Sequence, residues 1–178
     1  INGIGQGYIQ TTPLQLCLMT AQIANGGYKI KPHIIKDETI NYKSVINKIK
    51  LDQPSFLLHE RNYLDDIYVE YYQRMYHKKS NINFVLDAMF ASTNEQFGTS
   101  YRSRYEDPKY QFAGKTGTSQ VRRITDLDRE LDLDTEQIEY KKRDHALYVA
   151  FAPYKDPRYA ISVIIEHGGS GSKAAAPL

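Results

Sequence analysis

The segment of residues 113–121 constrains the fold of this sequence more than any other. It reads AGKTGTSQV and places a lysine, two threonine hydroxyls and two glycines within a few positions. Gly114 and Gly117 flank Lys115 and Thr116, so another backbone or a ligand could approach this stretch closely. The residues before it alternate as in a strand. We therefore predict an exposed strand that presents a cation and hydroxyl groups.

Three interpretations of this lysine segment compete. A phosphate-binding loop needs a glycine where Lys109 stands and a helix directly afterwards, whereas residues 118–121 have the character of a strand. A second interpretation is the Lys-Thr-Gly strand of serine acyltransferases that act on penicillin and on D-Ala-D-Ala peptides. The third is an ordinary edge strand with a turn. Three residues recur by chance, so the rest of the chain has to decide.

The composition excludes several classes of protein. A length of 178 residues suits one domain or part of a larger protein. The formal net charge of +2, without a basic stripe, predicts no nucleic-acid binding. Apolar runs are too short to span a bilayer. Cys17 is the single cysteine, which excludes an internal disulfide and a cysteine-rich metal site. Because the chain starts at Ile1 without a methionine, we expect it to come from within a longer gene product.

A strongly marked helix follows the first loop. Thr12 suits the N-cap, Pro13 the first helical position, and Gln15 completes a capping box. Apolar residues then fall on nearly every face through residue 24, which predicts a buried helix that includes Cys17. An Asn-Gly-Gly run at residues 25–27 should end it.

Two further elements are predicted in the first half of the chain. Residues 28–35 have the character of a short strand that Pro32 confines to an edge. Ser80 can cap a second helix over residues 81–93, which carries one apolar face.

Two segments have the character of peripheral insertions. Residues 36–79 have no clean period, although 60–77 could be helical, and His59 and His77 there are predicted to be solvated. Residues 122–143 are dense in both signs of charge and poor in large apolar groups, so we predict a mobile loop or exposed helix.

The end of the chain predicts an antiparallel hairpin. Residues 146–152 and 159–166 are apolar strands, and the short turn at 153–158 forces them to pair. A glycine-rich corner follows at residues 167–171, and another helix starts near residue 174.

Several blocks together resemble the transpeptidase domain of class B penicillin-binding proteins, nearest to the branch that serves cell elongation in rod-shaped bacteria. They are GQGY at 5–8, TPLQ at 12–15, GTS at 98–100, AGKTGTSQ at 113–120, FAP at 151–153 and EHGGSG at 166–171. The resemblance implies an α+β fold, shared with serine β-lactamases, in which helices flank an antiparallel sheet. Residues 1–178 would be the C-terminal part of that domain.

The resemblance also implies the site. Lys115 would supply positive charge near the substrate carboxylate, and Thr116 and Thr118 would offer it hydroxyls. The Thr118 amide would be one oxyanion-hole donor, and Gly117 would let the acyl chain pair with the strand. His167 would lie near the site in a structural role. No metal or other cofactor is expected.

The nucleophile motif of the family does not stand where it should. Its Ser-x-x-Lys and Ser-x-Asn motifs would precede Ile1. Residues 170–173 and 92–94 fit these patterns, but they lie in a glycine corner and at a helix end, so we interpret both as chance. We expect this chain to be inactive alone, with an apolar face left open.

For the full-length protein the resemblance implies a penicillin-sensitive D,D-transpeptidase that cross-links peptidoglycan stem peptides through an acyl-serine. It would be anchored by an N-terminal segment at the periplasmic face of the bacterial inner membrane. A glycan polymerase and elongation-complex proteins would be its partners, and stem peptides and β-lactams its ligands. A serine β-lactamase or D,D-carboxypeptidase of the same fold, and a non-catalytic penicillin-binding sensor domain, are the alternatives.

Overall fold

A computed structural model describes residues 9–34, 73–122 and 134–178 of the chain. The principal elements are helices α1 and α2 and strands β1, β2 and β3. In chain order they span Pro13–Ala24, Lys79–Asn94, Ala113–Ser119, His145–Ala152 and Tyr159–Ile165. Short 3-10 helices cover Tyr101–Ser103, Thr135–Gln137 and Tyr140–Lys142, and a π-helical turn covers Gly171–Ala175.

The three strands form one antiparallel sheet in the order β1-β2-β3. Lys115 of β1 pairs with Val149, and Thr118 pairs with Ala146. The predicted C-terminal hairpin is confirmed, since Ala146–Ala152 of β2 pair antiparallel with Tyr159–Ile165 of β3. Among the described residues no strand pairs with β1 on the side away from β2, so β1 is an edge strand.

Helix α1 begins as predicted but is less buried than predicted. The Thr12 hydroxyl oxygen accepts from the Gln15 backbone amide at 3.2 Å, and Gln15 Oε1 accepts from the Thr12 backbone amide at 2.8 Å. One face packs on β2 and β3, and Thr20 is fully buried there. Leu14 and Met19 nevertheless stay 66% and 43% exposed, because no described element covers the opposite face. The prediction of a helix buried all round is therefore wrong for this structure.

The residues around α1 follow the predictions more closely. Gly26 and Gly27 both take a positive φ, near 90°, as the Asn-Gly-Gly stop signal requires. Cys17 is half-buried, and its thiol donates to the Ala160 carbonyl at 3.3 Å, which ties α1 to β3.

Helix α2 begins two residues before the predicted range. Lys78 is its N-cap in an extended conformation, and no side chain caps the first turn, so the predicted cap at Ser80 is wrong. The apolar face is real but only partly covered. Met89 is buried against the sheet, whereas Phe84 is 74% exposed.

The strand predicted at residues 28–35 is not formed over residues 28–34, the part of it that the structure describes. Tyr28 makes one isolated antiparallel bridge to Arg74, and its ring meets Tyr76 edge-on at 6.1 Å. The bridge does not continue toward Pro32, which lacks the amide hydrogen that a ladder needs.

The two predicted insertions are only partly described. Residues 35–72, which include His59 and most of the possible helix, lie outside the described residues, as do residues 123–133. His77 is exposed, as predicted. Residues 134–143 form two 3-10 turns, and the Arg143 guanidinium donates to the Ile138 carbonyl at 2.8 Å. Assignment of both segments as insertions, and the mobility of 122–143, stay predictions.

The sheet has a small core on each face. Helices α1 and α2 cover one face, where Met89, Ala113 and Phe151 are buried together. On the other face, β2 packs against the π-helical turn. The buried residues of this second cluster are Ala146, Tyr148, Ala150, Ala175 and Ala176. In the part of the chain that the structure describes, no helix is long and apolar enough to cross a membrane.

Candidate active site

Strand β1 presents the predicted site residues on the open edge of the sheet. Lys115 and Thr118 are exposed, and Thr116 and Gly117 are half-buried. The Lys115 Nζ donates to the Thr116 carbonyl at 2.8 Å and lies 3.4 Å from Thr116 Oγ1. The ammonium group is thus held over the edge of its own strand, beside the hydroxyl of its neighbour.

A chain of hydroxyl groups extends from this strand to helix α2. Thr116 Oγ1 lies 3.0 Å from Thr99 Oγ1, and Thr99 Oγ1 lies 3.2 Å from Ser92 Oγ. Ser92 belongs to the last turn of α2. Thr99 belongs to the Gly98-Thr99-Ser100 segment after this helix, which we call the link. The link therefore lies directly beside the Lys-Thr-Gly segment.

A second group of hydroxyls is buried beneath this chain. Thr93, Ser100 and Tyr148 are at most 2% exposed, and their oxygens lie 3.1–3.2 Å from one another. Ser100 Oγ also donates to the Ser92 carbonyl at 3.0 Å. These bonds join the end of α2, the link and β2 into one unit.

The two glycines of the segment have different surroundings. A Cβ atom at Gly114 would overlap the Tyr148 hydroxyl and approach the Val149 carbonyl oxygen within 2.8 Å. A Cβ atom at Gly117 would meet only the Leu147 Cβ, at 3.4 Å. Gly114 is thus needed for the Tyr148 ring to cross β1, whereas Gly117 leaves its strand surface open.

The glycine corner after β3 packs against the same strands. A Cβ atom at Gly171 would come within 2.5 Å of the Gly117 and Leu147 carbonyl oxygens. His167, at a φ of 56°, donates its amide hydrogen to His145 Nδ1 at 2.9 Å. Its own Nδ1 lies 3.0 Å from the Arg143 carbonyl oxygen. These contacts support the predicted structural role of His167.

An open groove borders the lysine on the helical face of the sheet. It has a volume of about 570 Å³ and lies between α1, α2 and β1. Lys115 and Thr99 stand at its rim, and most of its walls are apolar. The principal apolar lining residues are Met19, Ile23, Phe84, Val85, Ala88 and Met89. Among the described residues an apolar face therefore stays open, as predicted, beside the candidate site.

The two chance motifs lie in different settings. In residues 170–173, Ser170 Oγ contacts Ser172 Oγ at 2.9 Å, and Lys173 is exposed. In residues 92–94, the Ser92 hydroxyl belongs to the exposed hydroxyl chain and the Thr93 hydroxyl to the buried group. Asn94 anchors the end of α2, because its Nδ2 donates to the Phe112 carbonyl at 2.9 Å. The described residues contain no cluster of three or more His, Cys, Asp or Glu suited to a metal ion.

Sequence reasoning missed the hydroxyls that support the strand. The apolar pattern of β2 predicts that the Tyr148 ring lies in the core, but it does not predict the hydrogen-bond partners of the Tyr148 hydroxyl. The Gly98-Thr99-Ser100 link did give a signal, since it resembles the Gly-Thr-Ala link of the family. Its position relative to Thr116 depends on how α2 packs, which the sequence pattern does not contain.

Comparison with known proteins gives one consistent result. The family model described as the penicillin binding protein transpeptidase domain matches residues 1–178. The peptidoglycan D,D-transpeptidase MrdA of Salmonella typhimurium is 34% identical over 176 residues, which are 99% of this chain and 25% of that protein. The chain therefore spans about a quarter of the length of the curated relatives it matches.

Solved structures agree with this match. The structure of Pseudomonas aeruginosa PBP2 in complex with WCK 5153 has a TM-score of 0.59 at 32% identity, covering 99% of this chain and 29% of that one. The complex between PBP2 and MreC from Helicobacter pylori has a TM-score of 0.62 at 29% identity, covering 99% and 24%.

Proposed function

Because the chain belongs to the family of penicillin-binding protein transpeptidase domains, we propose that the full-length protein is a peptidoglycan D,D-transpeptidase that cross-links stem peptides. The observation that carries the proposal is the AGKTGTS strand on an open sheet edge, with Lys115 and both threonines side by side. A family model that matches the whole chain supports it, as do relatives that are named as such transpeptidases.

The reaction proceeds in two acyl transfers. A serine attacks the D-Ala-D-Ala carbonyl, the peptide bond breaks, and D-Ala leaves with the proton that the serine lost. An amine of a neighbouring stem peptide then attacks the acyl-serine ester, forms the cross-link and returns the serine. The attacking serine would belong to a Ser-x-x-Lys motif, which we propose lies before residue 1 in the full-length protein. A penicillin would acylate the same serine and block it.

The residues of β1 would bind the substrate and stabilise the transition state. The Lys115 ammonium and the hydroxyls of Thr116 and Thr118 would bind the substrate carboxylate, because charge-assisted hydrogen bonds are the strong ones. The Thr118 amide would donate to the oxyanion, an interaction worth about 3 kcal/mol in the transition state. Gly117 has no side chain that could block the edge of β1, so the acyl chain of the substrate would pair with this edge like an added strand.

We propose the partners and the location of the full-length protein by analogy with the relatives. One solved relative is a complex of PBP2 with MreC, so we propose an elongation-complex protein of that kind as a partner. A membrane glycan polymerase would supply the strands that are cross-linked. The enzyme would act at the periplasmic face of the bacterial inner membrane, held there by an N-terminal anchor, because its substrate is cell-wall peptide.

Labelling of the full-length protein with a fluorescent penicillin tests the proposal, together with product analysis on a stem-peptide substrate. We expect one labelled serine, slow release of the label, and cross-linked peptide with an equivalent of free D-Ala. Rapid turnover of penicillin would favour a β-lactamase, and D-Ala release without a cross-link would favour a carboxypeptidase. A stable penicillin adduct with no reaction on peptide would favour a sensor domain.

A further inference from the structure

The hydroxyl chain from Ser92 through Thr99 to Thr116 ends beside the Lys115 ammonium. Thr116 Oγ1 carries one proton and two acceptor positions, as any hydroxyl does. The Lys115 ammonium, 3.4 Å away, can only donate to it. Thr99 Oγ1, 3.0 Å away, can act in either sense.

The buried hydroxyls fix where Thr99 stands. Its neighbour Ser100 is 2% exposed, and its amide and hydroxyl both donate to the Ser92 carbonyl at 3.0 Å. The Tyr148 hydroxyl donates to Ser100 Oγ at 3.1 Å. The Gly98 amide, on the other side, donates to the Glu95 carbonyl at 2.8 Å. Thr99 is thus held between two hydrogen-bonded neighbours, and its side chain is exposed.

We infer that Thr99 is a positioning residue, whose hydroxyl donates to Thr116 and so directs the Thr116 proton outward to the carboxylate of a bound ligand. Thr116 Oγ1 then accepts hydrogen bonds from both Thr99 and Lys115, so its own hydrogen is available to donate to the ligand. Ser92, 3.2 Å behind Thr99, supplies the donor that Thr99 accepts. The inference rests on the proposed function, because it needs a carboxylate-bearing ligand at β1.

The chemical consequence concerns ligand charge. A hydroxyl whose proton already faces the ligand favours an anionic acceptor, and hydrogen bonds to ionised groups are stronger than those between neutral groups. Without Thr99, the Thr116 hydroxyl is free to rotate and to donate elsewhere. Thr99 therefore contributes to selection of a carboxylate over an ester at this position, without contacting the ligand.

Acylation rates of the full-length protein with two ligands test this role. The ligands are a labelled penicillin and its methyl ester, and the variants are Thr99→Val, Thr99→Ser and the exposed control Thr11→Val. We expect Thr99→Val to slow acylation by the penicillin about tenfold, which is less than the loss of a whole hydrogen bond to a charged group, because Thr116 itself remains. Acylation by the ester should stay at the wild-type rate, and Thr99→Ser should restore the rate with penicillin.

Three results would overturn the inference. A wild-type rate for Thr99→Val with penicillin removes Thr99 from the site. An equal slowing with penicillin and ester, or a lowered melting temperature that Thr99→Ser shares, makes its role purely structural. A wild-type protein that neither ligand acylates refutes the proposed transpeptidase activity, and the role of Thr99 falls with it.

Discussion

Replacement of Gly114 by alanine is expected to destabilise the domain, whereas the same change at Gly117 is not. The new methyl at Gly114 would overlap the Tyr148 hydroxyl and sit 2.8 Å from the Val149 carbonyl oxygen, which is sheet backbone and cannot move aside. Insertion of a methyl into a packed core costs about 1–3 kcal/mol. Displacement of the Tyr148 hydroxyl from Thr93 and Ser100 adds about 1–3 kcal/mol, because both partners are buried.

The expected net loss is smaller than the sum. Alanine restricts the unfolded chain and returns about 0.4–1 kcal/mol where its backbone conformation is allowed, and Gly114 is not among the described glycines with positive φ. We therefore expect a net loss of roughly 3 kcal/mol of unfolding free energy, and a lower melting temperature of the transition that includes this part of the domain.

Gly117→Ala is the matched control within the same motif. Its Cβ meets Leu147 at 3.4 Å, an ordinary contact, so the melting temperature should change by no more than about 2 °C, as for most substitutions away from a core. Acylation should nevertheless fall, because the methyl stands where the acyl chain is proposed to pair with β1. The pair of variants separates the structural glycine of the motif from the ligand-facing one.

Thermal unfolding of the full-length protein, followed by calorimetry with and without a bound penicillin, is the assay. Tyr148→Phe and the double variant complete a cycle. The two changes should be less than additive, because Tyr148→Phe removes the hydroxyl that the new methyl overlaps. A Gly114→Ala protein that melts with the wild type would refute this account of how the Tyr148 ring crosses β1.

Three further predictions concern separate sites. Lys115→Ala in the full-length protein should strongly reduce acylation by penicillin yet change unfolding by less than about 0.5 kcal/mol, because its side chain is exposed; the exposed lysine control Lys155→Ala should alter neither. Burial, followed by the hydrogen bond to Asp87 and its negative charge, raises the pKa of Tyr154. Stability from this group should thus be complete below the ordinary pKa of tyrosine and be lost as the pH rises through the raised value. Asp87→Asn should lower that value in a tyrosinate absorbance titration, and an unchanged titration would contradict the assignment. The 178-residue chain alone should form no adduct with a labelled penicillin at Ser170, whose hydroxyl contacts Ser172 and forms no hydrogen bond to a basic side chain of the described residues; peptide mapping that finds the label there would show otherwise.

The elements that were predicted correctly are those whose signal is local. The capping box at Thr12 and Gln15 satisfies helix-end amides with residues three positions apart, so the sequence alone determines it. The hairpin is determined in the same way, since a short turn between two apolar runs permits only antiparallel pairing. The order of the sheet, with β1 at an edge, has no such local signal, because β1 and β2 are separated by a long segment of the chain.

The elements that were missed depend on what packs where. Apolar residues on all sides of α1 predicted burial, but burial also needs a neighbour on each side, and Leu14 has none among the described elements. The start of α2 at Lys79 lacks any side-chain cap, so a rule based on capping residues chose Ser80 instead. Thr99 and Thr116 come into contact because α2 packs on the sheet, and no local sequence signal predicts that packing.

The exposed hydroxyl chain and the buried group of hydroxyls together explain why one short motif contributes to both stability and ligand binding. Side chains alternate along a strand, so the positions of Gly114 and Thr116 share one face of β1 while Lys115 borders the groove on the other. On the shared face, the buried Tyr148 hydroxyl holds the link beside β1, and the exposed Thr99 hydroxyl meets Thr116. A change in the buried group should therefore reach the ligand through the position of Thr99, whereas a change in Thr99 should leave the buried group intact. It follows that Tyr148→Phe should lower both stability and acylation, and that Thr99→Val should lower acylation alone.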